Sequence, residues 1–371
     1  MPDRVPLDMG GNQTGISRIA YEKLLRYLGK NEEVEIMDLV QQLARPSEDI
    51  LKRLDIDTRY ISAGASDSWE FKIKKEEIRG KPHLSMTDEF GVTWSMPEGH
   101  GMYYDITYSP LAKATLKDIE NYNWPKGNDP GKFRGLKEKA KSMYEKTDKA
   151  IISGITGVVY EICWYMRGFE NFYMDLASDV KLAETLLEHT LQFWKEFETE
   201  FLNEVGEYLQ VICVGDDLAG QGATLFSPET YRKIVKPRQR KLYELIHKKT
   251  KAKLWYHSCG AVSELIPDLI EIGVDILNPV QFTAKGMETA KLKREFGKDI
   301  VFWGGGCDPQ HILSFETPEK VKSEVRKRIN DLAPNGGYVF NNVHNILADV
   351  PPENIIAMYE AAKEYGKYPI K

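Results

Sequence analysis

The sequence is poor in cysteine, with four in 371 residues. A small secreted domain needs more to build a disulfide framework. A reducing, cytoplasmic setting is therefore expected, where a cysteine beside a histidine signals metal binding or catalysis. Long apolar runs are also missing. Nothing approaches the ~18 consecutive apolar residues of a membrane span, and the opening MPDRVPLDMGG has no apolar signal region. Positive charge is not in excess: 50 Lys and Arg stand against 56 Asp and Glu, a net charge of −6. That argues against nucleic acid or an anionic membrane as partner, since both select a clustered basic face. The nearest basic cluster, KEKAKSMYEKTDKA (Lys137–Ala150), mixes its signs and reads as a solvated helix face. A strand–GxGxxG–helix phosphate loop is absent, which weakens the alternative of a doubly wound open sheet.

What is present is a regular alternation in the second half. YLQVICVGDD, KAKLWYHSCG, VDILNPV, KDIVFWGGG and GGYVFNN are short, nearly continuous apolar runs. Each is followed by a helical pattern, such as SPETYRKIVKPRQRKLYELIHKKT, with Ser227 as cap and Pro228 at the first helical position. Strands of that kind are buried on both faces, as in a parallel sheet covered by helices. In the first half RVPLDMGG, RYISAG and KAIISGITG supply three more candidate strands. The expected fold is a (β/α)8 TIM barrel with an elaborated N-terminal region, forming one domain over 1–371. The irregular stretch at about 65–148 reads as an insertion, with DEFGVTWSMPEG as a hairpin.

Barrel chemistry sits at the C-terminal ends of strands. There the sequence places Asp8, Ser62, Thr156, Asp216, Asp217, His257, Cys259, Asn278, Gln281, Cys307, Asp308, Asn341, Asn342 and His344. His257 and Cys259 are two residues apart, so an extended strand points both to one side. Imidazole and thiolate together suit zinc. Cys307, after three glycines that permit a tight turn, is the candidate third ligand, and three protein ligands with an open position describe a catalytic zinc. Cys163 and Cys213 lie in apolar surroundings and read as packing. Asp216 and Asp217 are candidates for the site or for capping a turn. Glu161, Trp164 and Arg167 in EICWYMRGF are pocket candidates, Arg167 suiting a substrate carboxylate.

The HxCG element, GDDLAGQGATLFSPETYRKIVKPR before it and the closing PPENI resemble the uroporphyrinogen decarboxylase superfamily, from about Gly10 to the C-terminus. HxCG resembles its zinc-dependent, corrinoid-linked methyltransferase branch. The resemblance implies a barrel with zinc at the top and transfer of a methyl group from a methylated small molecule, a methoxyaromatic or similar, to the cobalt of a separate corrinoid protein. It implies catalytic roles for Asp216, Asp217 and Glu161, and substrate contacts from Trp164, Arg167, Asn278, Gln281, Asn341 and His344. The decarboxylases carry an arginine-rich N-terminal segment, whereas DMGGNQTGISRIAYEKL has one arginine. In methylcobamide:coenzyme M methyltransferases the third ligand is a cysteine near the proline-rich element. His344 stands roughly there in FNNVHNILADVPPENI, while Cys307 is offered from the preceding strand. The O-demethylase substrate methyltransferases fit better. A methylcobamide:thiol methyltransferase, a decarboxylase and a non-catalytic zinc-binding barrel are the alternatives. No DxHxxG cobalamin motif occurs in the chain, so the corrinoid is expected on a partner.

Overall fold

The computed structural model describes residues 2–370. Seven strands form one parallel sheet: β1 Thr58–Ile61, β2 Ala150–Thr156, β3 Val211–Gly215, β4 Lys253–His257, β5 Ile276–Asn278, β6 Val301–Trp303 and β7 Tyr338–Val339. Each pairs with the next in sequence, as the β-then-α alternation requires. The sheet curls, and helices cover its outer face in an α/β fold.

An eighth strand is not formed. The segment expected to supply it, RVPLDMGG, makes one parallel bridge, from Leu7 to Phe340. Pro6 has no N–H to extend a ladder. The segment still reaches both edges of the sheet. Asp8 N donates to Phe340 O at 2.9 Å and Phe340 N to Pro6 O at 2.8 Å, while Asp57 N donates to Leu7 O at 2.8 Å.

Two apolar clusters hold the parallel sheet and its helices, and a third, smaller one gathers Met86, Met96 and Tyr104. Inside the curl, Ile152, Val211, Cys213, Trp255, Ile276 and Trp303 pack together. Asp8 is buried beside them and accepts hydrogen bonds from Thr58, Tyr60 and Trp303. The larger cluster lies between sheet and helices. Its longest helix is Val180–Val205, whose buried side includes Leu186, Phe193, Phe197 and Phe201.

Residues 74–108 build a four-stranded antiparallel sheet: Lys74–Ile78, Lys81–Thr87, Thr93–Pro97 and Asp105–Tyr108. The expected hairpin is its second and third strands. Asp88 closes their turn, accepting from Phe90 N and Val92 N. Trp94 of this sheet meets Tyr165 of the helix Glu161–Arg167, with ring centroids 5.2 Å apart. No helix among the described residues is long and apolar enough to cross a membrane.

Candidate metal centre

Strand β4 delivers His257 at its last position, and the turn after it delivers Cys259. Gly215 lies opposite His257 in the neighbouring strand, where a Cβ would stand 3.3 Å from the histidine's own. Gly260 has φ +86°, and a Cβ there would come within 2.4 Å of the Ala219 carbonyl. Only glycine lets the chain turn sharply behind Cys259. The third member comes from the loop after β7. His344 has φ +57°, a left-handed conformation rare for a residue with a side chain. The loop is held there from several sides. Val343 N donates to Cys307 O, Ile346 N to Gly15 O, and Asn345 accepts from Gly15 N while donating to Asn12 O. Strain maintained by its surroundings in this way marks a functional position.

One ligand atom each from His257, Cys259 and His344 lies within 4.8 Å of the other two. The His257 Nε2 to Cys259 Sγ distance is 3.7 Å. A zinc holding both at bonding distance in tetrahedral geometry spaces them by about 3.6 Å. His257 Nδ1 lies 2.7 Å from Asn278 Oδ1, so the amide accepts its N–H and leaves Nε2 free to ligate. Asn278 is fixed in turn, donating to Trp303 O. Burial pushes both imidazoles down to about 4, so both are neutral ligands at pH 7. Two nitrogens and one sulfur fit zinc.

Cys307, the expected third ligand, is not in the group. It is fully buried in the main apolar core, and burial, then the charges of Glu324 and Asp308, push its thiol pKa up against a smaller opposing effect of Arg328. The turn at Gly304 and Gly305, both with positive φ, directs the chain so that Cys307 supports the His344 loop through its carbonyl. His344, and not Cys307, stands with His257 and Cys259.

The acids divide. Asp216 is fully buried and bonded into the scaffold, accepting from Tyr160 N at 2.7 Å, Glu161 N at 2.8 Å and Gln239 Nε2 at 3.0 Å. Burial pushes it up to about 7. It positions the start of the helix Glu161–Arg167 rather than facing a ligand, which corrects its expected catalytic role. Asp217 is partly exposed, accepts from Cys259 N at 2.7 Å and stands 3.7 Å from His257 Nε2. Glu161 lies beside it, receiving a hydrogen bond from Tyr165. Burial, then the charges of Asp217 and Asp216, push Glu161 well above the usual carboxylate range.

Several expected substrate contacts turn out to be scaffold. Arg167 pairs with Asp175 at 2.7 Å and donates to the carbonyls of Leu111, Ala112 and Ala114, so its guanidinium is consumed. Gln281 accepts from Gly260 N at 2.8 Å, bracing the turn behind Cys259, and also lines the cavity there. Asn341 is fully buried, with its amide on Asn342. Trp164 packs edge-on against Tyr165 and Phe169. Cys163 and Cys213 are buried in apolar packing. Tyr165, Gln239, Asn12 and Asn345 were missed by sequence reasoning. Asn12, in the polar run GGNQTG after an apolar one, carried the only signal.

Two cavities meet at the His344 loop. One of about 320 Å³ is lined by Cys259, Gly260, Gln281, Gln310 and His344 among others. The other, of about 470 Å³, lies on the far side of Leu347. His344, Asn345 and Leu347 line both.

The profile of the family described as uroporphyrinogen decarboxylase (URO-D) matches residues 84–365. The chain belongs to this family. A uroporphyrinogen decarboxylase of Psychromonas ingrahamii is 26% identical over 282 residues, 72% of this chain and 74% of that protein. One of Chlorobium limicola is 35% identical over 103 residues, 27% of each chain. This chain thus spans about a quarter of one such relative and three quarters of the other. The structure of a methyltransferase from Methanosarcina mazei superposes with a TM-score of 0.65 at 16% identity, covering 98% of this chain and 95% of that one. The uroporphyrinogen decarboxylase fold is therefore shared across its length with a methyltransferase.

Proposed function

We propose that the protein is a zinc-dependent methyltransferase, moving a methyl group from a methylated small molecule to the cobalt of a separate corrinoid protein. The observation that carries the reading is the group His257, Cys259 and His344, whose donor set and spacing fit zinc. Bound there, zinc would act as a Lewis acid on the heteroatom that the methyl group leaves. The residues around it divide the remaining work. Asn278 fixes the His257 tautomer. Asp217 braces the Cys259 backbone. Burial and the neighbouring carboxylates of Asp217 and Asp216 raise the Glu161 pKa and so favour its protonated form, which would give its proton to a leaving oxygen that retains the bonding electrons once the methyl group departs. Seven strands and the Pro6–Asp8 segment support reading the scaffold as an eightfold barrel with this centre at its mouth.

Decarboxylation is the second reading, favoured by the names of the relatives. A porphyrin presents several carboxylates, which need cations to hold them. Neither cavity beside the centre is lined by Lys or Arg. Arg18, the one arginine of the early segment, pairs with Glu22.

The test is incubation of the zinc-loaded chain with cob(I)alamin and a panel of methylated ethers, amines and thiols. Methylcobalamin should form with at least one donor and be lost in His257→Ala. Glu161→Gln should lower kcat with ether donors by about 10²–10⁴-fold at unchanged zinc content. Decarboxylation of uroporphyrinogen without any methyl transfer overturns the reading.

A further inference from the structure

We infer that a separate cavity, of about 380 Å³ beside the ends of β1 and β2, is a binding site for a small hydroxylated organic anion. It shares no lining residue with the two cavities at the His344 loop, and the inference does not depend on the methyltransferase reading.

Segments distant in sequence make the site. Ser62 follows β1 and Thr156 ends β2, at the same end of the parallel sheet as His257 on β4. The helix Val180–Val205 forms one wall, with Trp194 and Phe201 among its lining residues. Arg45 enters from the region before β1, and Lys132 and Lys139 from the region between β1 and β2. The volume falls within the roughly 300–1,000 Å³ typical of small-ligand cavities.

The charges of the lining are unbalanced. Lys132 is buried at 4% exposure. Its Nζ donates to Glu89 at 2.5 Å and to Lys126 O at 3.2 Å, which leaves one of three N–H groups for a ligand. Arg45 spends Nε on Glu35 at 2.9 Å, and its terminal nitrogens have no partner among the described residues. With Glu35 set against Arg45 and Glu89 against Lys132, Lys139 is the one charge of the lining without an ion-pair partner among the described residues. An oxyanion head, carboxylate or phosphate ester, meets that excess and the spare donors together.

The wall asks for hydroxyl groups on the rest of the ligand. Glu198 stands four residues after Trp194 and three before Phe201, on the same face of the helix. Both of its carboxyl oxygens are buried without a hydrogen-bond partner. Thr156, whose hydroxyl acts on that carboxyl, lines the cavity. Thr156 Oγ1 donates to Cys213 O at 3.1 Å and keeps its lone pairs to accept. A buried polar group without a partner is costly, and a ligand hydroxyl seated on Thr156 brings a donor to a cluster short of one. None of these residues has a part in the chemistry at the metal centre.

The experiment is equilibrium binding, read by calorimetry on the zinc-loaded full chain, with probes that share one body: glycerate, glycerol 3-phosphate and glycerol. At least one of the two anions should bind about tenfold or more tightly than glycerol. Lys139→Glu, at an exposed position, should weaken that anion about tenfold or more. Lys291→Glu, the same charge change at an exposed position of the helix Thr289–Phe296, should leave its binding unchanged. Zinc content should be the same in wild type and both variants. The tighter anion names the head group, and either one supports the inference. No binding of either anion, glycerol binding as tightly as the anions, or equal effects of the two lysine variants overturns it. Anion binding that ignores Lys139→Glu lies elsewhere on the molecule and overturns it as well.

Discussion

At the residue scale, the centre depends on groups that aim its ligands. Asn278 accepts from His257 Nδ1 and is itself tied to Trp303 O, so the ring cannot rotate without breaking its hydrogen bond to a fixed amide. Asn278→Ala should weaken zinc about 10–100-fold, as loss of such an outer partner does. Cys307→Ala should bind zinc as wild type does, since its thiol is buried in the apolar core. Competition with a chromophoric chelator measures both, and normal affinity in Asn278→Ala would count against the aiming role. The proximity of His257 and Cys259 was legible from their spacing of two residues, although Cys259 lies in the turn after the strand and not on its face. The choice between Cys307 and His344 was not. It depends on the left-handed φ of His344 and on the direction of the Gly304–Gly305 turn, and neither has a local signal.

At the element scale, the second-half strands were readable because burial on both faces leaves continuous apolar runs. The antiparallel sheet was readable only at its hairpin. Its first strand, Lys74–Ile78, is exposed on both faces, so no alternation appears in its residues. The helix Glu161–Arg167 is too short for a periodic pattern, and its start is fixed from outside by Asp216. The helix Val180–Val205 carries a buried anomaly. Glu198 is fully buried, neither carboxyl oxygen has a hydrogen-bond partner, and burial pushes it up to about 8. In the unfolded chain it ionises near 4.5. The unfolded state therefore releases this proton first, and stability falls as pH rises from about 4.5 to about 8. Glu198→Gln removes that loss. Its melting temperature should exceed wild type by about 2 °C or more at pH 8 and by little at pH 4.5. An equal shift at the two pH values would contradict the assignment.

At the scale of the whole molecule, the parallel sheet gathers one end of five successive strands, and the chain's own N-terminal region closes over it. Gly15 and Asn12 hold the His344 loop from more than 300 positions away in sequence. Met102, Tyr103 and Tyr104, from the antiparallel sheet region, add an apolar wall that the parallel strands do not supply. Long-range closure of this kind leaves no periodic trace, which is why the parallel α/β sheet was legible and the grouping of His344 with His257 and Cys259 was not. The proposed zinc chemistry requires that ligand set. X-ray absorption at the zinc edge of the purified, metal-loaded protein reads it directly. One sulfur near 2.3 Å, two imidazole nitrogens at about 2.0–2.1 Å and one light atom from solvent or Asp217 are the result expected. Two sulfurs, which would return Cys307 to the centre, or none, would contradict it.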